Sequence, residues 1–204
     1  FLSDLETQRG VGVATRNLRL TAIRSFFRFV SFEEPAHSAL IQRVIAIPSK
    51  RHDKRQVHFL TRSEIEAVLA VPDRTTWIGR RDHALLLLAT QTGLRLSELI
   101  GLSRESIHLG AGAHVRCVGK GRKERCTPLT KYARIALQAW VNEPVRHDAS
   151  ALFPTLHGGQ LSADGVQSLL AKHLGVASKA CPSLASKRVS PHVLRHSAAM
   201  ELLQ

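Results

Sequence analysis

Residues 84–99 read Ala84-Leu-Leu-Leu-Leu-Ala-Thr-Gln-Thr-Gly-Leu-Arg-Leu-Ser-Glu-Leu99, an apolar run followed by a glycine break and a polar helix start. The run Ala84–Ala89 is the longest apolar stretch of the chain and lies in a segment, near Trp77–Thr92, that predicts a buried central helix. Gly93 predicts the end of that helix, because glycine adopts the left-handed conformation that commonly follows a helix C-terminus.

A second, shorter helix is predicted directly after this break, from about Leu96 to Leu102. Arg95 opens it, at a place where backbone N–H groups and the helix dipole favour an anion. Glu98, three residues on, can hold or align Arg95. The two residues can equally form an ordinary surface ion pair.

Helix and strand signals on both sides of this stretch predict a mainly α-helical chain with a small three-stranded antiparallel β-sheet. Upstream, Thr61-Arg-Ser-Glu64 has capping-box spacing and predicts a helix to about Val71. Downstream, Gly-rich breaks separate three predicted strands, which are Ser106–Leu109, Ala113–Val118 and Glu124–Pro128. Further helices are predicted from Thr130 to about Val141, from Ala163 to about Leu174, and after Ser190-Pro191.

The first 58 residues contain a predicted basic amphipathic helix and a linker. Within Val13–Val30, apolar residues recur at every fourth position and arginines occupy other faces. The apolar residues are Ala14, Leu18, Ala22, Phe26 and Val30; the arginines are Arg16, Arg19, Arg24 and Arg28. The basic segment 48–58 is predicted to be a linker, in contact either with solvent or with a DNA backbone.

The composition of the 204 residues points to a polyanionic partner. The formal net charge is +13 and the sequence pI is about 10.8. Nucleic acid is the commonest such partner, because each neutralised phosphate releases condensed counterions; an anionic membrane surface is the rival. The longest apolar run is far too short to span a bilayer. Three cysteines without CxxC spacing fit a reducing compartment, so we expect a cytoplasmic protein.

The candidate chemistry rests on basic residues, since no phosphate loop, Rossmann glycine pattern or HExxH motif is present. We therefore expect no cofactor and no metal. Lys120 lies between two glycines at a predicted hairpin tip, where the backbone can approach a phosphate closely or can simply form a tight turn. His192, Arg195 and His196 share one helix face by their i, i+3, i+4 spacing and can form a phosphate clamp.

Three segments, in this order along the chain, resemble the motifs of the tyrosine recombinases, the phage integrase family. They are Thr92-Gly-Leu-Arg-Leu-Ser-Glu-Leu99, Gly119-Lys-Gly121 with Glu124-Arg125 and Pro128-Leu129, and Pro191-His-Val-Leu-Arg-His-Ser-Ala198. Residues 15–30 resemble the closing helix of the family's core-binding domain. The resemblance implies a partial helical core-binding domain at 1–47, a basic linker at 48–58 and a C-terminally truncated catalytic domain at 59–204.

The resemblance also implies a reaction and roles for four residues. A tyrosine attacks a DNA phosphodiester, forms a 3′-phosphotyrosyl link and frees a 5′-hydroxyl, with no cofactor. Arg95 and Arg195 would bind the non-bridging oxygens of the phosphate. Lys120 would be the acid for the departing oxygen, and His192 would transfer a proton or bind the phosphate.

The nucleophile of the family follows the HxxR helix, so we expect it, with a second His or Trp, outside these residues. Tyr132, the only tyrosine, is expected to be an ordinary residue of an amphipathic helix. The fragment is expected to be an inactive monomer that binds DNA weakly, and the full-length protein a homotetramer on paired double-stranded sites. The alternative is a non-catalytic DNA-binding module on the same scaffold. A basic helical protein that binds RNA or a membrane surface explains the charge but not the order of the motifs.

Overall fold

The computed structural model describes residues 1–53, 58–119, 123–144, 147 and 149–201. The chain divides into two compact units, Phe1–Gln56 and Val57–Gln204. Each unit is a separate fold and is described by itself below.

The first unit is helical. Leu5, Leu20 and Ile41 are its buried apolar residues, one from each α-helix. The middle helix packs against the other two. Its elements are α1 (Leu2–Thr7), α2 (Val13–Glu33), a 3-10 turn (Pro35–His37) and α3 (Ser38–Ile45).

The helix predicted over Val13–Val30 is confirmed, but its predicted apolar face is wrong. Leu18 and Phe26 of that face are 70% and 61% exposed. The buried residues of α2 are instead Arg16 and Leu20. Arg16 turns inward because its guanidinium Nη1 donates a hydrogen bond to the Pro48 carbonyl oxygen. The buried face of α2 therefore includes an arginine and is not the face on which the predicted apolar residues lie.

The segment after α3 is bound to α2 by side chains. Arg24 Nη2 donates to the Ile47 carbonyl. Asn17 forms a paired contact with Lys50, since its Nδ2 donates to the Lys50 carbonyl at 2.7 Å and its Oδ1 accepts from the Lys50 N–H at 3.0 Å. Lys50 Nζ also reaches Glu6 at 2.8 Å. The chain is therefore held against the helices of this unit as far as Lys50.

The second unit is a helical layer around one central helix, with a small sheet at its edge. Most of the central helix, α5 (Trp77–Thr92), including every residue from Gly79 to Thr90 except Arg80, is buried. It packs against α9 (Pro191–Glu201), α7 (Lys131–Val141) and α4 (Arg62–Ala70). The elements are α4 (Arg62–Ala70), α5 (Trp77–Thr92), α6 (Leu96–Ile100), β1 (Ile107–His108), β2 (His114–Val118), β3 (Glu124–Pro128), α7 (Lys131–Val141), α8 (Ala163–Ala180) and α9 (Pro191–Glu201).

The predicted helix starts are confirmed by their caps. Thr61 and Glu64 form the reciprocal capping box of α4, and Thr130 caps α7 through the Ala133 N–H. The predicted end of α8 at about Leu174 is six residues short. The helix continues because Ala177, 1% exposed, belongs to the hydrophobic core.

The three strands form one antiparallel sheet in the order β1-β2-β3, which confirms the predicted architecture. The register pairs Val118 with Glu124 and Cys117 with Arg125. The Gly119 N–H donates to the Lys123 carbonyl at 2.8 Å and extends the pairing of β2 with β3 by one hydrogen bond. In the part of the chain that the structure describes, no helix has the length and apolarity needed to cross a bilayer.

Candidate active site

Three of the four residues singled out from the sequence line one cavity of about 450 Å³ in the second unit. Arg95 is the residue immediately before α6, and His192 and Arg195 lie in the first turns of α9. None of the described residues that line this cavity is acidic. Two guanidinium groups and an imidazole therefore face a shared space that suits an anion.

The glycine break after α5 brings the start of α6 next to α9. Gly93 has a left-handed backbone, with φ of +58°. A Cβ at this position would contact the Arg195 carbonyl oxygen and the Ala198 Cβ, each at 3.6 Å. The turn that ends the central helix thus rests against the helix that carries Arg195, and Arg95 follows two residues later.

Glu98 orients Arg95 through hydrogen bonds to its backbone and to its side chain. Its side chain is 4% exposed, and its carboxylate accepts hydrogen bonds from the Arg95 backbone N–H at 2.7 Å and from Arg95 Nη1 at 3.0 Å. Burial raises the pKa of Glu98, but these hydrogen bonds and the charges of Arg125 and Arg95 outweigh it, so the pKa is lowered from its usual value. The carboxylate is therefore ionised at neutral pH and orients Arg95.

Arg195 presents an unused donor. Its Nη1 is buried and has no hydrogen-bond partner among the residues that the structure describes. A buried guanidinium N–H without an acceptor costs free energy. An anion in the cavity is one group that could supply the missing acceptor.

His192 is paired with the next residue on its helix face. Its Nε2 lies 2.8 Å from His196 Nε2, and the two rings are nearly perpendicular. His192, Arg195 and His196 were predicted to share one helix face, and this contact confirms the prediction for the two histidines. His196 does not line the cavity, whereas His192 does.

Lys120 lies outside the described residues, so its predicted position in the site remains a prediction. Two further polar residues line the cavity and were not among the predicted site residues, Gln167 of α8 and Ser190. Nothing in the local sequence of Gln167 indicates a site, because only the packing of α8 brings it there. The hydrogen bond from Arg125 to the Glu98 carboxylate was also missed, although Glu124-Arg125 is part of one of the motifs.

The remaining candidates lie elsewhere. Tyr132 is 53% exposed and lines a different cavity, of about 600 Å³, among α4, α5 and α7. This larger cavity includes acidic residues, Glu66 and Glu201, beside its basic ones. Among the described residues, no group of three His, Cys, Asp or Glu side chains is placed to hold a metal ion.

Comparison with known proteins identifies the scaffold that carries this cavity. Residues 58–204, more than half of the chain, match the phage integrase family. The chain belongs to this family. The tyrosine recombinase resemblance of the sequence motifs is thereby confirmed, and so is the predicted fold class.

Two relatives illustrate the similarity to other members of the phage integrase family. The chain is 59% identical over 204 residues to y4rC of Sinorhizobium fredii, a protein named as an integrase/recombinase. It is 32% identical over 203 residues to the tyrosine recombinase XerC of Bacillus subtilis, which covers 96% of this chain and 64% of XerC. The chain spans 61% of the length of y4rC, and the match covers all of the chain.

Solved structures of integrases and recombinases share the fold. The XerH site-specific recombinase, solved bound to a palindromic difH substrate, has a TM-score of 0.73 at 20% identity and covers 98% of this chain and 60% of XerH. The integrase of the Tn1549 transposon, solved in complex with circular intermediate DNA, has a TM-score of 0.74 at 17% identity, over 99% of this chain and 72% of the other. The roles of the four candidate residues in this family member stay predictions.

Proposed function

We propose that this chain is the phosphate-binding part of a site-specific DNA recombinase or integrase. The whole enzyme cleaves and rejoins DNA strands through a 3′-phosphotyrosyl intermediate, with the nucleophilic tyrosine supplied from outside these 204 residues. The observation that carries the proposal is the cavity that Arg95, His192 and Arg195 line together, with no acidic residue among its described lining. Arg195 also has a buried Nη1 with no acceptor among the described residues.

The two arginines stabilise the transition state of phosphoryl transfer. When the tyrosine oxygen attacks phosphorus, negative charge accumulates on the non-bridging oxygens, and two forked guanidinium groups fit that charge. Glu98 keeps Arg95 oriented before the substrate arrives, so little reorganisation is needed at the moment of reaction. Loss of either arginine removes on the order of 3 to 4 kcal/mol of transition-state stabilisation.

The remaining roles complete the proton balance. The tyrosine hydroxyl proton passes to His192, or to solvent where His192 binds the phosphate, as the O–P bond forms and the P–O5′ bond breaks. Lys120 gives a proton to the leaving 5′-oxygen, and His192 binds the phosphate or transfers a proton. Rejoining reverses these steps, so no external energy source is consumed.

The domain division and the partners belong to the same proposal. Residues 1–47 contribute part of a helical DNA-binding domain, 48–58 a basic linker, and 59–204 the catalytic domain. The boundary between the compact units 1–56 and 57–204 and the family match over 58–204 support a catalytic domain that starts near residue 58. The partner is double-stranded DNA, on which the whole enzyme assembles as a tetramer over paired sites, while this chain alone stays monomeric.

A binding experiment tests the phosphate contacts on the chain itself. Affinity for a fluorescent duplex of arbitrary sequence is measured by anisotropy between 50 and 200 mM salt. Arg95→Ala and Arg195→Ala should each flatten the slope of log affinity against log salt concentration by about 0.9, since each removes one phosphate contact. The control is Arg62→Ala, whose side chain is 83% exposed and pairs with Glu66. Binding that does not change with salt contradicts every nucleic-acid function.

A cleavage experiment tests the chemistry in the whole protein. The natural full-length protein is incubated with duplexes made from the DNA that flanks its gene, and covalent protein–DNA adduct is measured on denaturing gels. Arg95→Ala and Arg195→Ala should slow adduct formation about 100- to 1000-fold. Equal adduct from Arg95→Ala contradicts the assigned role. Normal DNA binding with no adduct from the unmodified protein supports the alternative, a non-catalytic DNA-binding module.

A further inference from the structure

The pairing of His192 with His196 determines which ring nitrogen of His192 is left for the cavity. The two Nε2 atoms lie 2.8 Å apart, which is hydrogen-bond distance. A hydrogen bond between two imidazole nitrogens needs a proton on one and a lone pair on the other. Because Nε2 of His192 is engaged, Nδ1 is the ring nitrogen that remains for a ligand in the cavity.

While both rings are neutral, an anion in the cavity selects one of the two arrangements of this proton. If His192 donated from Nε2, its neutral ring would present the Nδ1 lone pair to the anion, which is repulsive. If His192 instead accepts at Nε2 from the His196 Nε2–H, its own proton lies on Nδ1 and can be donated to a phosphate oxygen. The second arrangement adds a hydrogen bond beside Arg95 and Arg195.

We propose that His196 is a positioning residue, which holds His192 in the tautomer that donates from Nδ1 to the phosphate group. This inference rests on the proposed function. In histidines generally, the hydrogen bond at one ring nitrogen sets whether the other nitrogen carries a proton. The inference applies this rule to a phosphate site.

The surroundings of α9 support a fixed role for His196. Ser197, 1% exposed, accepts a hydrogen bond from the Leu60 N–H at 2.7 Å and donates to the Val193 carbonyl at 2.9 Å. Val193 and Leu194 belong to the core. The residue that follows each histidine, Val193 and Ser197, is therefore buried, and this burial fixes the face of α9 on which the two histidines lie.

Nitrogen-15 NMR of the histidine-labelled chain tests the tautomer directly, with and without a short DNA duplex. His192 resonances are identified by their absence in His192→Gln. The unmodified chain with duplex should show His192 with its proton on Nδ1. His196→Phe keeps the ring shape and removes the donor, so His192 should lose this preference. His196→Gln keeps an N–H donor at a similar reach and should retain it. The control is His157→Phe, which replaces an exposed histidine and should leave the His192 tautomer unchanged.

The outcomes separate this inference from the proposed function. An identical His192 tautomer in the unmodified chain and His196→Phe, both folded by their thermal transitions, overturns the role of His196. The opposite combination is also possible, in which the His192 tautomer depends on His196 but Arg95→Ala does not change duplex binding. That result supports the pairing of the two histidines and contradicts the proposed phosphate site. In the full-length enzyme, His196→Phe should slow adduct formation about tenfold or more, as loss of the groups that orient metal-binding histidines does, and His196→Gln should restore the rate.

Discussion

Arg125 in β3 donates a hydrogen bond from Nη2 to Glu98 Oε2 at 2.7 Å, and Glu98 simultaneously holds Arg95. Gly119, the residue after β2, lies close to the same carboxylate, since a Cβ on Gly119 would be 3.5 Å from Glu98 Oε1. One buried carboxylate thus joins the base of the β2–β3 hairpin to an arginine of the candidate site. The position of the hairpin and the orientation of Arg95 are coupled through it.

Replacing Arg125 should loosen this junction. Among the described residues, Arg125→Ala leaves Glu98 with Arg95 as its one cationic partner, so we expect the free energy of unfolding to fall by about 1–2 kcal/mol and duplex affinity to fall with it. Arg116→Ala is the matched control, because Arg116 is an exposed arginine on the neighbouring strand. Urea unfolding and fluorescence anisotropy measure both effects. Equal losses in the two variants contradict a specific coupling.

The chain should lose stability in acid through Glu64. Burial raises the pKa of this carboxylate, but hydrogen bonds from Lys187, Ser183 and the Thr61 backbone outweigh burial and lower the pKa to about 2. Because the folded pKa lies below the unfolded value of 4.5, the stabilisation is complete above about pH 4.5 and disappears as pH falls toward 2. It is on the order of 3 kcal/mol.

Lys187→Met tests this assignment by urea unfolding between pH 7 and pH 3. The variant should be less stable at neutral pH and should show a shallower loss in acid, since the main partner of Glu64 is gone. Lys179→Met, at an exposed lysine on α8, should leave the profile unchanged. A Lys187→Met profile parallel to that of the unmodified chain would show that Glu64 does not govern the acid transition.

Two glycines should respond to alanine with opposite signs. Gly93→Ala places a side chain in the left-handed region, which costs about 1–2 kcal/mol, and its Cβ must also fit against α9. Gly175 lies inside α8, where an added Cβ would meet nothing within 4 Å. Gly175→Ala should therefore stabilise the protein by about 0.5–1 kcal/mol. Midpoints of urea unfolding compare the two, and a stabilising Gly93→Ala contradicts the described turn.

The buried ion network of α5 should be intolerant of single substitutions. Asp82, 3% exposed, accepts hydrogen bonds from Arg81 Nη2 at 2.6 Å and pairs with His173 Nε2 at 2.9 Å. Asp82→Leu leaves the Arg81 charge buried and should cost about 3–5 kcal/mol. The double variant with Arg81→Met should be more stable than Asp82→Leu alone, as measured by thermal unfolding. Additive losses contradict a coupled pair.

Several elements follow from short stretches of sequence alone. Local rules predict correctly the capping box of Thr61 and Glu64, the helix end at Gly93 and the strands β2 and β3 on either side of a Gly-rich break, because interactions within a few residues decide them. The end of α8 was misplaced because its last turns are stabilised by burial of Ala177 in a core that distant segments complete.

The sequence by itself determined the family, the helical class with its small sheet, and the candidate residues Arg95, His192 and Arg195, because these are carried by motifs of fixed spacing. Only the tertiary structure decided that these three residues share a cavity, that Arg125 shares Glu98 with Arg95, and that Arg16 is on the buried face of α2. The physical reason is the same in each case. The group that each side chain meets lies tens of residues away along the chain, where residue spacing carries no information about it. This group is the Glu98 carboxylate for Arg125, helix α9 for Arg95 and the Pro48 carbonyl for Arg16.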